Sequence, residues 1–573
     1  MEANVNFINQ AYRRALFPNM LSILGGTINI LADGILVAQK LGAEALAAIN
    51  LCLPIYLFLC VIGSFLVSGT ATQAARAMGR NEKAESARFY RAAVLSSLAA
   101  GGVVTVLGLL LLSPITVFLC AEPGLQGWVR SYSGITLLGA LPKILIYVPF
   151  WFLRLDGRNK TVTVMMAVMG LGNILLDILF LFVFDWGVAG AAWASVIATA
   201  AACAIGLGRL GERKSSFHLS GGGRLDRRQW LKAAKSGVPA ALNNLLQTIR
   251  TLCVNFLLLQ YGGALMVAVF SALNCVSAFS LCVIDGVPQA ASAMLGIYCG
   301  EYDHSSIKLL IKWQWKIGAW YTILFAAGAV LGAPLIQQAY GLPAPLLLPI
   351  ACLAVSFLPA LWNSILISYY NLLERSWLAS LMVVSRVLVF SVCGLWVLLH
   401  FDLSPWWFFA CGEILTLPLW LALSGMISRR HQKLSRFLLL DDVLEREGKV
   451  LNFSVQGTAQ AICEASDKIT GFCESNGMAA KQIMRISLSI EEILTVITQK
   501  NPGELIDFDI KAFSLQGVMG IRIRYGGMAY NPMRIEASEE DADFYMGIRL
   551  IEKMAEEIVY QPAFGTNSLQ IFV

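Results

Sequence analysis

The sequence contains little charge: only 14% of its 573 residues are Asp, Glu, Lys or Arg, whereas 57% are hydrophobic. A water-soluble globular protein of this length cannot enclose so large an apolar fraction in its core. The scarcity of charge therefore excludes a wholly soluble protein and indicates that most of the chain lies in lipid.

Metal-binding and signal-peptide patterns are also missing. The 13 cysteines are scattered through apolar stretches, with no CxxC pair and no Cys/His spacing of the kind that binds zinc. We interpret them, for example Cys52, Cys203, Cys275 and Cys393, as small core residues. The first residues, MEANVNFINQAYRRALFP, lack the short apolar core and cleavage site of a secretory signal. We therefore expect the first span to be retained.

Long hydrophobic runs recur from about residue 15 to about residue 430. Each is long enough to cross about 30 Å of hydrocarbon as a helix. They predict an all-α polytopic membrane region with about twelve transmembrane helices, near residues 15–38, 46–75, 90–120, 128–153, 160–184, 187–210, 231–260, 264–299, 314–340, 345–372, 377–401 and 404–428.

Basic residues alternate from loop to loop along this region. They precede the first span and follow the second, fourth and sixth, whereas the loops after odd-numbered spans carry almost none. By the positive-inside rule, this pattern predicts an integral protein of the plasma (inner) membrane with both termini in the cytoplasm.

The longest polar break, residues 211–230, divides the spans into six and six. QAARAM at residues 73–78 resembles QAASAM at residues 289–294, and Pro142 corresponds to Pro359. Halves with an even number of spans have the same orientation, so we predict two six-helix lobes related as parallel repeats. The predicted domains are a first lobe, a linker, a second lobe, a second linker and a soluble domain, at residues 1–212, 213–230, 231–432, 433–448 and 449–573.

Two acids lie within spans of the first half, Asp33 and Asp177. Asn173 precedes Asp177 by four residues, so both side chains share a helix face. An ionisable side chain in a span is costly and should face the bundle interior or water. Carboxylate and amide oxygens are suitable ligands for a small cation or a shielded proton. The alternative is that Asp177 only forms a hydrogen bond with a neighbouring helix.

The second half has other ionisable residues at membrane depth: Arg250, Asp285, Arg386 and Glu413. Arg250 and Asp285 lie on consecutive spans, so we interpret them as a structural ion pair, with substrate contact as the alternative.

Counterparts of the two first-half acids are missing from the second half, because Val254 and Gly394 stand near their places. Cation coupling is therefore expected only in the first half. The amides of Asn243, Asn244 and Gln247 either line a substrate cavity or join helices, and the sequence leaves both options open.

With ADG at residues 32–34, NxxxD at 173–177 and GVAGAAWAS at 187–195, residues 10–430 resemble the MATE (multidrug and toxic compound extrusion) family. The resemblance implies export of organic, often cationic, compounds against inward flow of Na⁺ or H⁺. It assigns the cation-coupling site to Asp33, Asn173, Asp177 and Ser195, the first three of which would hold Na⁺. Ile178 replaces the proline that usually follows the fifth-span acid.

The last 130 or so residues alternate between strand and helix patterns. They predict a cytoplasmic α/β domain of two layers. SIEEILTVI, YGGMAYNP, GIRLIEKMAEEIVY and FGTNSLQIF resemble the GHKL ATPase fold of anti-sigma-factor serine kinases over residues 445–573.

This tail departs from the family at its nucleotide ligands. Glu492 fits the family's acid, but Val496 stands where an asparagine would hold magnesium. Tyr525 replaces the aspartate that binds adenine, although Gly527 keeps the turn. Valine cannot coordinate magnesium, and tyrosine cannot accept the adenine N–H as a carboxylate does. We predict a degenerate site without ATP or kinase activity.

Taken together, the sequence predicts an antiporter that exports organic, cationic or amphipathic compounds and has a cytoplasmic regulatory or assembly domain. We predict that it is not an enzyme and that it needs no cofactor, with Na⁺ or H⁺ as its coupling ion. Its predicted partners are the lipid bilayer, a small organic substrate and a cytoplasmic regulatory protein. We predict no binding of nucleic acid. Three alternatives remain: a lipid-linked saccharide flippase using Arg250 and Arg386, a membrane sensor that signals through the tail, and a shifted nucleotide site using Glu491 or Thr495.

Overall fold

The computed structural model describes residues 4–80, 82–120, 123–212, 215–218, 223, 225–301, 303–340, 345–430, 434–435, 437–440, 448–515, 518–528, 530–533, 546–563 and 566–573. Helices make up nearly all of the described chain up to Arg430, and a small sheet with three helices follows. The predicted fold class, a helical membrane region with an added α/β domain, is confirmed.

The first lobe consists of nine helices, several of which are pieces of one span. They are α1 (Asn4–Leu51), α2 (Leu53–Gly79), α3 (Lys83–Leu110), α4 (Leu112–Leu119), α5 (Pro123–Leu138), α6 (Ala140–Leu145), α7 (Tyr147–Leu155), α8 (Asn159–Asp177) and α9 (Gly187–Leu210). A π-helix, Ile178–Val183, continues α8.

The second lobe consists of α10 (Arg227–Ile284), α11 (Gly286–Gly300), α12 (His304–Leu331), α13 (Ala333–Tyr340), α14 (Leu347–Leu372), α15 (Ser376–Val384), α16 (Phe390–His400) and α17 (Phe408–Arg430). A π-helix, Ser385–Val389, joins α15 to α16, and a 3-10 turn, Pro405–Trp407, precedes α17.

Helix lengths repeat between the lobes. α3 and α12 each have 28 residues, and each is followed by a helix of 8 residues. The α8 and α15–α16 spans, Asn159–Val183 and Ser376–His400, each have 25 residues. These matched lengths give the two lobes the same architecture.

Eight of the described helices are long and apolar enough to cross a membrane, or nine if a bent pair counts as one span. That pair, Gly124–Leu138 with Ala140–Leu155, bends by 55°. Two predicted loops are also shorter than expected, because α1 and α10 continue through breaks at Gly42 and Gly263, where φ is 86° and 67°. Glycine adopts this left-handed conformation without the steric penalty of a side chain.

The similar QAARAM and QAASAM segments do not occupy equivalent helix positions. The first ends one residue before the end of α2 at Gly79, whereas the second is followed by six more residues of α11, which ends at Gly300. The helix ends themselves, Gly79 and Gly300, meet in the structure. This motif pair therefore does not mark equivalent positions in the two lobes.

The tail contains a five-stranded antiparallel sheet in the order β1-β2-β3-β5-β4. Its strands are β1 (Lys449–Gln456), β2 (Asp507–Leu515), β3 (Val518–Tyr525), β4 (Glu557–Ala563) and β5 (Thr566–Phe572), and its helices are α18 (Ala459–Ser475), α19 (Ala480–Gln499) and α20 (Met546–Met554). The pattern of MGIRLIEKMAEEI predicts a helix through residue 558, but α20 ends at Met554 and β4 begins at Glu557. The sequence therefore did not predict β4.

Alternation along β2 and β3 gives the sheet two unlike faces. Ile510 pairs with Ile523 on the face that joins the apolar core with the helices. Asp509 pairs with Arg524, and Lys511 with Arg522, on the opposite face. These four charged residues are nevertheless 0–4% exposed.

The chain folds into two compact units. One unit consists of Arg14–Asp303 and Leu310–Leu423, which is the membrane region described above. The other consists of Met1–Arg13, His304–Leu309 and Ser424–Val573. The tail therefore shares its compact unit with the first turns of α1 and α12.

Candidate functional site

Asn173 and Asp177 form the polar centre of the first lobe. Their spacing of four residues on α8 places both side chains on one face, and the Asn173 Nδ2 donates a hydrogen bond to Asp177 Oδ2 at 3.0 Å. Asn173 is 3% exposed and Asp177 is fully buried. Asp33 lies in α1, but its side chain is outside the part of the structure that is described.

The helix changes its winding directly after Asp177. The π-helix Ile178–Val183 begins at the next residue. Ile178 is the position at which the family resemblance would place a proline. A π-turn leaves carbonyl groups without their i+4 partners and often marks a functional position. The distortion therefore arises here without proline.

Ser195 lies on α9 and is half-buried. Its carbonyl accepts a hydrogen bond from Thr199 Oγ1 at 2.7 Å. No hydrogen bond of its own hydroxyl occurs within the described residues, so the structure brings Asn173 and Asp177 together but does not join Ser195 to them.

A cavity of about 180 Å³ opens next to this polar centre. Its walls come from α2, α6, α7, α8 and α9, and they are formed by Tyr56, Leu59, Cys60, Lys143, Ile146, Tyr147, Phe150, Met166, Met169 and Thr199. Met169 precedes Asn173 by four residues, and Thr199 follows Ser195 by four. The cavity therefore lies about one helical turn, roughly 5.4 Å along the axis, from two of the predicted coupling residues.

Lys143 is the charged residue among the described residues of this cavity wall. It is 8% exposed, and its Nζ lies 5.6 Å from the centre of the Tyr56 ring. Cys60 lines the same wall as Tyr56 and Tyr147. Tyr147 can enter because Gly63 has no side chain: a Cβ there would lie 2.5 Å from Tyr147 Cδ2.

The sequence interpretation missed Lys143. The signal was present, since a lysine inside a span is a functional hypothesis by default. Only Pro142 was singled out from the stretch LPKILIYVPFWF, although the lysine is the next residue.

The second lobe has a polar centre built on a buried ion pair. Arg386 Nε lies 3.3 Å from Glu413 Oε1. The fully buried Asn363 donates from Nδ2 to Glu413 Oε2 at 2.8 Å and to the Glu413 carbonyl at 2.9 Å. Glu413 is therefore held by two different helices.

Arg250 and Asp285 do not form the expected ion pair. The Ser364 hydroxyl donates to Asp285 Oδ1 at 2.9 Å instead. Arg250 lies in the electrostatic field of Glu413 and Arg386, but within the described chain it has no ion pair, and its buried Nε has no hydrogen-bond partner. Arg386 forms the ion pair with Glu413. Arg250 therefore has no carboxylate partner of its own among the described residues.

The three amides of α10 lie in different surroundings. Asn244 Nδ2 donates to Ser64 Oγ on α2 at 3.2 Å, so this residue joins the two lobes. The Gln247 carbonyl accepts a hydrogen bond from Thr251 at 2.9 Å. Asn243 is half-buried, and no hydrogen bond of its side chain occurs among the described residues.

The two lobes touch closely at the helix ends that adjoin the basic loops. A Cβ on Gly79 would overlap the Ile297 carbonyl oxygen, and a Cβ on Gly69 would overlap that of Ala233. Only glycine allows the backbones of α2, α10 and α11 to approach so closely.

Polar side chains join the lobes at the same end. Arg76 Nη1 donates to the Leu372 carbonyl at 3.1 Å and lies 3.3 Å from Glu374 Oε1. Arg154 Nη1 donates to Gln289 Oε1 at 2.7 Å. In this conformation the lobes are therefore closed toward the basic loops.

In the tail, Glu492, Val496, Tyr525 and Gly527 all have structural roles. Val496 is 3% exposed and belongs to the apolar core. Glu492 Oε2 accepts a hydrogen bond from the Ile548 amide at 2.7 Å, which holds the first turn of α20. Burial raises the pKa of Glu492, while donation from the Ile548, Gly547 and Met546 amides opposes this shift.

The Tyr525 side chain is fully buried, and its hydroxyl donates to the Tyr530 carbonyl. Burial raises its pKa well above the usual value for tyrosine. Gly527 has a φ of 87°, and a side chain there would overlap Asn501 Oδ1. Tyr525 and Asn501 thus form their hydrogen bonds with other groups of the tail.

Comparison with known proteins identifies the membrane region. The MatE family model matches residues 18–179, the stretch that contains Asp33, Asn173 and Asp177. Over these residues the chain matches the MATE family.

MATE relatives agree with this assignment over part of their length. The multidrug export protein MepA of Staphylococcus aureus (strain MRSA252) is 27% identical over 252 residues, 43% of this chain and 54% of the relative. MepA of Staphylococcus haemolyticus is 27% identical over 251 residues, with the same coverage. The chain thus spans about half the length of the curated relatives it matches.

Solved MATE structures share the fold. A MATE structure in complex with MaL6 superposes with a TM-score of 0.69 at 21% identity, over 74% of this chain and 96% of that chain. An outward-facing MATE transporter of the MOP superfamily gives 0.68 at 21% identity with the same coverage. A MOP superfamily transporter from Pyrococcus furiosus, described as having a binding pocket of reversed polarity, gives 0.68 at 20% identity, again with that coverage.

Proposed function

We propose that the protein is a secondary antiporter that exports small organic amphipathic compounds in exchange for Na⁺ or H⁺. The observation that carries the proposal is the buried Asn173–Asp177 pair on α8, which offers oxygen ligands inside a lipid-embedded lobe. A carboxylate at membrane depth is costly unless a cation or a proton neutralises it, and a coupling cation at Asp177 would do so. Asp33 and Ser195 complete the proposed site.

Alternating access of the two lobes would move the cavity between the sides of the membrane. The glycine contacts at Gly69 and Gly79 close the end at the basic loops. With both termini in the cytoplasm of a plasma-membrane protein, as the loop charges predict, this conformation is closed to the cytoplasm. The MepA relatives are named as multidrug exporters, which supports the direction of transport proposed here.

The test is transport by the full chain in proteoliposomes, with sodium and proton gradients imposed separately. Export of a fluorescent organic compound should follow one of the gradients. It should stop in the Asp33→Asn/Asp177→Asn variant while thermal unfolding shows that the protein remains folded. Undiminished gradient-driven export in that variant would disprove the assigned coupling site.

A flippase for lipid-linked saccharides is the second candidate. Arg250, which has no ion pair among the described residues, favours it because diphosphate groups need cationic partners. Scrambling of a fluorescent lipid diphosphate, with no effect of either ion gradient, would support the flippase over the antiporter.

We also propose that the tail regulates the transporter and binds no ATP. Val496 and Tyr525 are core residues, which supports the loss of the magnesium and adenine ligands. Titration of the full chain with Mg-ATP should show no binding, and micromolar affinity would refute this part of the proposal.

Contacts within the tail's compact unit suggest how regulation works. Arg524 Nη1 donates to Ser306 Oγ at 3.4 Å, and Asn452 Nδ2 donates to Ser305 Oγ at 3.3 Å. The polar sheet face therefore contacts the first turn of α12. A cytoplasmic partner that competes for this face would release that turn.

The Arg524→Ala and Asn452→Ala variants test the regulatory role. Each should change the export rate by roughly twofold to fivefold, the effect of losing about 0.5–1 kcal/mol from one hydrogen bond. Lys449→Ala is a suitable control, because Lys449 is an exposed residue of the same sheet whose Nζ donates to the Ser475 carbonyl within the tail. Equal rates in all variants would contradict a regulatory contact.

A further inference from the structure

Arg154, near the end of α7, is a buried arginine at the contact between the lobes. It is 2% exposed, and its Nη1 donates to Gln289 Oε1 of the second lobe at 2.7 Å. Its Nε and Nη2 are buried and have no hydrogen-bond partner among the described residues. Most N–H donors of the guanidinium are therefore unused. Within the described chain no carboxylate pairs with it either.

The aromatic contact of Arg154 does not depend on the second lobe. Its guanidinium carbon Cζ lies 3.8 Å from the centre of the Phe150 ring. Phe150 precedes Arg154 by four residues on the same helix, so this contact is present whether the lobes touch or separate. Closure therefore adds only the hydrogen bond to Gln289. One bond to a neutral amide does not replace the water that a guanidinium loses on burial.

Arg76, at the same contact between the lobes, has the opposite surroundings. Its Nη1 donates to the Leu372 carbonyl at 3.1 Å and lies 3.3 Å from Glu374 Oε1. Both partners lie at the end of α14 in the second lobe, so closure brings a carboxylate to Arg76. A charge that gains an opposite charge on closure favours the closed conformation, whereas Arg154 gains only an amide.

We propose that Arg154 opposes closure toward the basic loops and so enables the lobes to reopen there, while Arg76 and Glu374 favour closure. When the lobes separate, Gln289 leaves and water reaches the guanidinium. Arg154 is thus a positioning residue that acts on the equilibrium between two conformations. The inference goes beyond the proposed antiport function, although it rests on the alternating access of that proposal.

The native Cys299 can report on opening of this contact. It is 5% exposed and precedes Gly300, whose added Cβ would overlap the Arg76 carbonyl oxygen. Its alkylation by N-ethylmaleimide is measured in the purified full chain in detergent, without substrate or gradient, by mass spectrometry of its peptide. The rate rises with the fraction of open molecules. The exposed Cys463 of the tail is an internal control for reagent activity.

Two changes with opposite chemistry should both favour closure. Arg154→Met removes the buried charge, and Gln289→Glu gives that charge a carboxylate partner. Each should slow the alkylation of Cys299 about tenfold, equivalent to about 1.4 kcal/mol. The double variant Arg154→Met/Gln289→Glu buries a carboxylate without its cation and should react at least as fast as the wild type. A role of Arg154 in packing alone would not produce this reversal.

Three further variants complete the comparison. Arg154→Lys keeps the buried charge and should react close to the wild-type rate. Glu374→Gln removes the acid that favours closure and should react roughly twofold to fivefold faster. Arg158→Met is the matched control, because Arg158 pairs with Asp156 and Glu212 of its own lobe, and its rate should equal that of the wild type.

The proposal is overturned if either Arg154→Met or Gln289→Glu folds and alkylates at Cys299 as fast as the wild type or faster. Gradient-driven export in proteoliposomes separates this result from the proposed antiport. Unchanged alkylation together with gradient-driven export by the wild type would remove the inference and leave the antiporter. Slower alkylation in both variants of a protein whose export follows neither gradient would support the role of Arg154 and remove the antiporter.

Discussion

The two lobes repeat the same helices but contain different polar groups. In the first lobe, Asn173 and Asp177 lie on the span Asn159–Val183. In the second lobe, the span of equal length, Ser376–His400, carries Arg386, which is paired with Glu413. In an ion pair the two charges neutralise each other. A carboxylate that accepts a hydrogen bond from a neutral amide can still bind a cation. The lobes therefore share their helices but differ in their buried polar pairs, Arg386 with Glu413 in one and Asn173 with Asp177 in the other.

Breaking the ion pair of the second lobe should have the largest effect. Glu413→Gln leaves Arg386 as a buried charge without its partner, which costs about 3–5 kcal/mol of stability. Thermal unfolding of the full chain in detergent measures this loss. The double variant Arg386→Met/Glu413→Leu removes both charges and should recover most of it. If Glu413→Gln unfolds like the wild type, the structural role assigned to this pair is wrong.

Neutralising the first-lobe acid should affect transport and leave the fold intact. Asp177→Asn cannot exchange a coupling cation, so gradient-driven export should fall roughly 100-fold, equivalent to about 2.7 kcal/mol. Asp285→Asn is the matched change in the second lobe. An amide oxygen can still accept from Ser364, so its export should fall less than about threefold. Equal losses in both variants would remove the distinction between the lobes.

Adding a methyl group at the contact between lobes should have an intermediate effect. Gly79→Ala overlaps the Ile297 carbonyl, and overpacking of this kind costs about 1–3 kcal/mol. Closure at the basic loops becomes less favourable, so the export rate should fall about tenfold. Gly102→Ala is the control, because no atom lies within 4 Å of its added Cβ. Wild-type export by Gly79→Ala would argue against closure at this contact.

The smallest effect is a pH dependence confined to the tail. Burial raises the folded-state pKa of Glu492 above its unfolded value, so its protonated form is favoured in the folded tail. The stability that it contributes is complete below the unfolded pKa and is lost as the pH rises through the folded pKa. Unfolding of the full chain, followed by a tail probe, should occur at higher temperature at pH 5 than at pH 7.

Glu492→Gln should reduce this pH dependence, whereas Glu504→Gln, at an exposed position, should leave it unchanged. The same slope in all three proteins would mean that other groups set it.

Much of the architecture could be predicted from the sequence, because lipid imposes long apolar helices and loop charge sets their orientation. The predicted sixth span, residues 187–210, coincides with α9, Gly187–Leu210. The Asn173–Asp177 pair was also predictable, since a spacing of four residues fixes a shared helix face. The breaks at Gly42 and Gly263 fall within two predicted loops, residues 39–45 and 261–263.

Ion pairing could not be predicted in the same way. Consecutive spans suggested a pair of Arg250 and Asp285, but Arg386 and Asn363 bind Glu413, and Ser364 binds Asp285. Which charges meet depends on the rotation and depth of each helix, and the order of spans does not specify either.

The sequence by itself determined the lipid-embedded helical region and the separate α/β tail. Each of these follows from residue type and local spacing, which act along the chain. Only the tertiary structure decided that Lys143 lines a cavity next to the coupling site, that glycines close one end, and that Arg386 pairs with Glu413. Those features depend on atoms from different helices that approach within a few ångströms, and packing alone sets such distances.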